Sequence, residues 1–338
     1  MNRTLIESLA KKTLEDMKDS PERSMRNFVD LGVLFTGGRF KDELLDTVQE
    51  MLQNENSAYY RLASDIIHHV GNEQLLTFGM NIGYEGCTNG AKVIRKIEAA
   101  ECFDIPWSLY LSINDGEYVR RRAIYDTAVN CGKRLGIHTY LLFSDCHHEK
   151  LVPMISKNKD CNFVIFCEPE TVTNFMLDEM VGNPNLMFVI RYSENSDNTA
   201  RACALLRERE MMYSVYLKYS DGDFERITEE YPWCDTEAMN PVLTIVLPTA
   251  SCSATVRKKV YETVYKVRRM QKYATVPWDG YTDNCYIDSV ISESACAAGF
   301  DENGYLYTAE GCKKDGCFNL FNNDLKDILK SAFPKKVI

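Results

Sequence analysis

Asp145-Cys146-His147-His148 puts a carboxylate, a thiol and two imidazoles in four consecutive positions, the side-chain types that ligate divalent metals and carry protons near neutral pH. Adjacent residues rarely turn toward a single ion, so the same four residues also suit the start of a helix. Farther along, Cys285, Cys296, Cys312 and Cys317 bracket a short turn. Four thiolates are what a closed tetrahedral zinc site or an auxiliary iron-sulfur cluster requires. These spacings exceed the usual C-x2-C knuckle, and scattered reduced thiols are the competing reading. Cys87, Cys146, Cys167 and Cys252 each follow a short apolar run, where a thiol is more often a small core side chain than a ligand. Glu117 is a carboxylate able to hold an ammonium group, although a glutamate favoured by a helix N-terminus would look the same. Arg191, Tyr192 and Lys218 offer contacts for a carboxylate or a ribose, and Asn114 and Ser144 are neutral hydrogen-bonding groups. His68-His69 reads as a helix face with one ring buried.

These residues act together only if one scaffold gathers them. Seven apolar runs of strand length are separated by helical stretches, at Leu75 to Phe78, Ser108 to Ile113, Thr139 to Phe143, Phe163 to Phe166, Leu186 to Ile190, Tyr213 to Leu217 and Leu243 to Leu247. Near-continuous apolar strands alternating with helices imply a parallel sheet covered on both faces. The expected fold is therefore α/β, a parallel and partial TIM-type barrel, with function at the C-terminal strand ends. Asn114, Glu117, Ser144, Cys167, Arg191 and Lys218 fall there, and so does the segment Met80 to Cys87 if the first run is a strand. Ahead of the barrel, Leu5, Ile6 and Leu9, then Leu44, Leu45, Val48, Met51 and Leu52, recur at helical spacing. Behind it a charged helix, Val256 to Met270, leads into a tail richer in Gly, Cys, Asn and Asp, where Asn303-Gly304 between apolar flanks predicts a hairpin. The division expected is a helical extension over 1–73, a barrel over 74–270 and a small module over 271–338.

Positions 80, 84 and 87 carry C-x3-C-x2-C spacing with Asn81 after the first, and Asn114-Asp115-Gly116-Glu117 follows the next strand in the manner of a Gly-Gly-Glu-Pro motif. In these features the chain resembles the radical S-adenosylmethionine (radical SAM) superfamily. The stretch Ala298 to Tyr307, with Asn319-Leu320 and a closing helix, resembles the SPASM extension of its peptide-modifying members. The resemblance implies an S-adenosylmethionine-like ligand beside Cys87, Asn114, Glu117, Ser144, Arg191 and Lys218, with Glu117 facing the methionine ammonium. It departs from the family at the ligands: Met80 and Tyr84 stand where cysteines belong, and Ala309 where the SPASM pattern has one. A thioether and a phenol do not replace thiolates, so a conventional [4Fe–4S] cluster is not expected on Cys87 alone. The reading is a degenerate relative, a pseudoenzyme or a protein that binds a small molecule or peptide. Its rivals are an active peptide-modifying enzyme with a non-standard iron-sulfur site, and an unrelated barrel enzyme doing acid–base chemistry with Glu117 and Asp145–His148.

Composition removes other classes of function. Among 338 residues, 39 Lys and Arg against 49 Asp and Glu leave a net charge of −10, which disfavours nucleic acid and anionic membranes as partners. No run approaches the roughly 20 apolar residues that span a bilayer, and the first twenty residues lack the apolar core of a secretory signal. Thirteen cysteines without a framework spacing fit reduced thiols and a cytoplasmic location. The sequence leaves the oligomeric state open.

Overall fold

The computed structural model describes residues 3–35, 46–144, 147–193, 196–292 and 294–335. The chain divides into two compact units, each built from three stretches: residues 1–76, 168–174 and 187–283 form the first, and residues 77–167, 175–186 and 284–338 the second. Among the described residues the strands are β1 (Ser108–Ile113), β2 (Thr139–Ser144), β3 (Asn162–Cys167), β4 (Leu186–Arg191), β5 (Tyr213–Tyr219), β6 (Leu243–Pro248), β7 (Val276–Asp279), β8 (Ala298–Phe300), β9 (Leu306–Thr308) and β10 (Gly311–Lys313). The order is β10-β9-β8-β1-β2-β3 in the second unit and β4-β5-β6-β7 in the first. All of these neighbours pair in parallel except β8 with β9 and β9 with β10. The α/β class and the parallel strands are thus as the apolar runs imply.

In the second unit, apolar residues point to both faces of the strands, and Leu109, Leu111, Tyr140, Leu142, Phe163 and Ile165 are buried. Aromatic rings stack across neighbouring strands, Tyr140 on Phe163 with centroids 5.5 Å apart and Phe143 on Phe166 at 4.5 Å. In the first unit the helix Ala254–Met270 opens on a Ser253 cap, whose hydroxyl accepts from the Val256 N–H. Its Val260, Val264 and Val267 recur at helical spacing and are buried in a core with Leu217, Tyr219, Trp233 and Val246. Each such valine contributes on the order of 1.5 kcal/mol by leaving water.

One of the seven apolar runs is not a strand. Leu75 to Phe78 lies within the helix Asn72–Met80, which continues as a π-wound stretch over Asn81–Gly90 and as an α-helix over Ala91–Glu101. The tail hairpin forms as Asn303-Gly304 predicts: Gly304 takes a φ of +80°, and the Asp301 carboxylate accepts from the N–H groups of Asn303 at 3.0 Å and Tyr305 at 2.8 Å. Its first strand, β8, also pairs with β1, so these tail residues are part of the second unit's sheet. No described helix is long and apolar enough to cross a membrane.

Candidate functional site

Parallel register brings Asn114, Glu117, Ser144 and Cys167 to one edge of the second unit's sheet, since Ile113 pairs with Ser144 and Phe143 with Phe166. Asn114 and Glu117 are engaged locally. Asn114 caps the helix Asp115–Leu135, its side-chain oxygen accepting from the N–H of Gly116 at 3.1 Å and of Glu117 at 3.3 Å. Glu117, in the first turn, is held by Arg120 and by Arg121, whose Nε lies 2.8 Å from its Oε2. The hydrogen bond from Arg121, with the charge of both guanidiniums, keeps the carboxyl below the usual glutamate range. A group so firmly ionised is a weak general base at neutral pH. Arg121 in turn lies over the ring of Phe321, 4.4 Å from its centroid. Ser144 is half-buried and Cys167 buried. Asp145 and Cys146 lie outside the described residues. His147 pairs with Glu149 at 3.3 Å, while His148 is buried at the start of a short 3-10 turn.

The first unit presents its strand ends differently. Arg191 closes β4, Lys218 is next to last in β5, and both line a cavity of about 200 Å³ together with Tyr192, Asp223, Arg226 and Tyr231. The Arg191 guanidinium meets Glu168 at 3.0 Å in a pair whose side chains are 43% and 46% exposed. Arg226 lies over the Tyr231 ring at 5.2 Å and donates to its hydroxyl at 3.3 Å. Asp223 is engaged locally: its Oδ2 accepts from the Ser220 hydroxyl at 2.7 Å and the Ser220 N–H at 2.8 Å, which keeps its carboxyl low. Tyr192 is buried, which pushes its phenol up to about 12, and its hydroxyl reaches Asp235 at 3.4 Å.

The altered cluster positions lie elsewhere. Asn81, one residue past Met80, donates to the Lys159 carbonyl at 2.8 Å and to Asn162 at 3.1 Å, and Asn162 donates back to the Phe78 carbonyl at 2.9 Å. Asn162 is the first residue of β3. Gly90 packs so closely on the turn ahead of β2 that a Cβ on it would come within 2.4 Å of the Gly136 carbonyl. The helical segment 80–90 therefore covers the N-terminal ends of β2 and β3, the edge opposite Glu117 and Ser144. Cys87 is buried in it, and burial alone pushes its thiol up to about 12. Within this unit Cys87 thus lies on the edge opposite Asn114, Glu117 and Ser144, and the residues at 80, 84 and 87 do not fit a [4Fe–4S] cluster.

No family model matches the chain, and no curated protein matches it in sequence. The crystal structure of Streptococcus suis SuiB bound to precursor peptide SuiA aligns over 73% of this chain and 70% of that one, with a TM-score of 0.50 and 11% identity. SuiB bound to S-adenosylmethionine gives 0.49 at 10% identity, over 73% of this chain and 69% of that one. A further structure of SuiB gives 0.48 at 13%, over 86% and 76%. The fold resembles that of SuiB. At 11% identity the likeness is one of fold.

β8 pairs in parallel with β1 on the side away from β2, Leu109 opposite Ala298 and Leu111 opposite Phe300. The turn at its C-terminal end, Asp301 to Tyr305, contains no cysteine and is closed on the Asp301 carboxylate.

The tail cysteines do not converge: among the described residues no group of three or more His, Cys, Asp or Glu could hold a metal ion. Cys285 is half-buried on the helix Thr282–Ile291. Cys296 is fully enclosed, and burial, reinforced by the nearby Asp288 carboxyl, raises its thiol well above the ordinary range. Cys312 faces Asp301 with Sγ at 3.9 Å from Oδ2, and Cys317 is exposed. Thiols beside carboxylates favour the protonated form, the opposite of what a metal site needs. Cys252 is likewise pushed up to about 11, by burial first and then by Asp221. In the helix Tyr59–His69, His68 is exposed and His69 buried, as the sequence suggests; burial lowers the pKa of His69, which sits against Asp65 and Arg207.

Three residues at the first unit's strand ends escaped the sequence reading. Arg226 and Tyr231 come from the connection after β5, where no periodicity marks them. Asp279 ends β7, fully buried, and accepts from the N–H groups of Thr282 at 2.6 Å and Tyr281 at 3.1 Å. Its signal was an Asp-Gly pair after a short apolar run, which reads equally as a turn.

Proposed function

We propose that the chain is a radical SAM-like protein that works without a [4Fe–4S] cluster, a pseudoenzyme whose strand ends hold a small molecule or a peptide. The observation that carries this reading is the position of the 80–87 segment: a helix packed on the N-terminal edge of the strands, carrying a single buried, protonated thiol. A cubane needs three thiolates converging on one mouth, and here the place beside β1 is held by β8, whose turn has none. The likeness to SuiB supports the partial-barrel form and the descent, and the hairpin at Asn303-Gly304 is what supports a SPASM-like tail. That SuiB is seen with a precursor peptide supports a peptide as one class of ligand. A net charge of −10 argues against nucleic acid, and the described cysteines, none of them in a disulfide, favour a cytoplasmic location. Glu117, paired twice and firmly ionised, gives no support to acid–base catalysis.

The test is anaerobic reconstitution with iron and sulfide, followed by dithionite and S-adenosylmethionine. The protein should remain without the visible absorption of a cluster and release no 5′-deoxyadenosine. Reductive cleavage of S-adenosylmethionine at a rate above the protein-free control would overturn the proposal.

A further inference from the structure

The cavity at the ends of β4 and β5 concentrates positive charge on a chain that is acidic as a whole. Arg191, Lys218 and Arg226 line it together with Asp223, a carboxylate engaged by Ser220; of the carboxylates around it, Glu168 lies on Arg191 and Asp235 meets the Tyr192 hydroxyl. The size of the cavity decides what it can take. Sites that enclose a whole small-molecule ligand run to roughly 300–1,000 Å³. At about 200 Å³ this one admits a single side chain or fragment, with the rest of the ligand outside it. The tyrosines Tyr192 and Tyr231 give it aromatic walls beside the cations, suited to a short apolar stem ending in an anion. The Arg191–Glu168 pair supplies the recognition geometry already filled. Both side chains are about half exposed, and a pair of that kind is held weakly enough to be exchanged.

We propose that this cavity receives the carboxylate side chain of an acidic peptide segment, which takes the place on Arg191 that Glu168 occupies in the free protein, with Lys218 and Arg226 completing the charge. This rests on the reading of the chain as a binding protein and names its ligand class. A guanidinium released from an internal carboxylate offers two parallel N–H groups to an incoming one, and Lys218 adds a mobile point charge. Glu168 then acts as an internal competitor, so that its removal strengthens binding while removal of either remaining cation weakens it.

The test uses the full chain and a fluorescein-labelled hexapeptide, Gly-Gly-Glu-Glu-Gly-Gly, with its Gln-Gln counterpart and free glutarate, followed by fluorescence anisotropy and competition. The glutamate peptide should bind about tenfold more tightly than the glutamine peptide, and Lys218→Gln and Arg226→Gln should each weaken it about fivefold. Glu168→Gln should tighten it about threefold, a gain that misfolding cannot produce. Equal affinity for the two peptides, or weaker binding by Glu168→Gln, would overturn the proposal. Glutarate matching the peptide would make the ligand a free organic acid and overturn the peptide assignment. The iron and sulfide result is independent of all three outcomes, so failure here and failure of the cluster-free reading are separately visible.

Discussion

At the end of β1 the polar groups close on one another. Asn114 is taken up by the first turn of its own helix, and Glu117 lies between Arg120 and Arg121. At the ends of β4 and β5, by contrast, Lys218 and Arg226 face a cavity, and the pair on Arg191 is half exposed. Both sets occupy the position where α/β proteins place function. What separates them is the connection that follows each strand. A helix that begins at once, as after β1, has unpaired N–H groups and a positive end that draw in the nearest amide and carboxylate. A longer connection, as after β5, brings in groups such as Arg226 and Tyr231 that face back toward the strand ends. The acids contrast in the same way. Glu117 is half-buried and kept ionised by its arginines, whereas Asp279 is fully buried, and burial raises its carboxyl above the usual aspartate range despite two backbone N–H bonds.

Substitutions sharpen this contrast in order of effect. The largest falls on β8, because a Cβ at Gly299 would meet Tyr110 Cβ at 2.7 Å and the Tyr110 carbonyl at 3.0 Å. Gly299→Val should lower stability by about 2–3 kcal/mol, read as a fall in the thermal midpoint and as faster amide exchange in β1. An unchanged midpoint would mean that β8 does not pack on β1 as described.

Asp279→Asn comes next and is a matter of pH. A carboxyl whose folded pKa is raised contributes stability that is complete below the unfolded value of 3.8 and is lost as pH rises through the folded value. Wild type should therefore lose stability from about pH 4 upward through this group, while Asp279→Asn, retaining the acceptor for Thr282 and Tyr281, should be flatter in urea unfolding over the same range. Glu117 has the opposite sign: its contribution is present above 4.5 and disappears as pH falls through its lowered pKa. If Glu117→Gln and Asp279→Asn changed the pH profile in the same direction, the contrast between the edges would fail.

Asn114→Ala removes only the cap and should cost about 1 kcal/mol by chemical denaturation. Arg120→Ala should be the mildest: Arg121 remains on Glu117, and the thermal midpoint should move by no more than the scatter between repeat melts.

Much of this architecture was legible. From Ser108 onward each apolar run became a strand, because an uninterrupted apolar stretch between helices has few other ways to cover its backbone and side chains at once. Asn303-Gly304 gave the hairpin for a local reason, the positive φ that glycine allows. Leu75 to Phe78 misled because four apolar residues suit either element. The signal against a strand was the glycine series Gly79, Gly83, Gly86 and Gly90, whose steps of four, three and four follow the helical period, with Gly90 needed for close approach to Gly136. The pairing of β8 with β1 joins residues almost 190 positions apart, and no local pattern records it. The cationic cavity was legible in part: strand-end position found Arg191 and Lys218, whereas Arg226 and the exchangeable Glu168 depend on how the connections fold back.

The central claim is that the 80–87 segment is a helix on the N-terminal edge of the strands and has no cluster-binding geometry, whatever residues it carries. The most direct measurement is the iron and acid-labile sulfide content of wild type and of Met80→Cys with Tyr84→Cys after anaerobic reconstitution, with the electron paramagnetic resonance spectrum of the reduced samples. Neither protein should give a [4Fe–4S] signal, because three thiols on a helix packed against β2 and β3 do not face one open mouth. A cluster signal in wild type that is lost in Cys87→Ala, or one gained by the double variant, would contradict it.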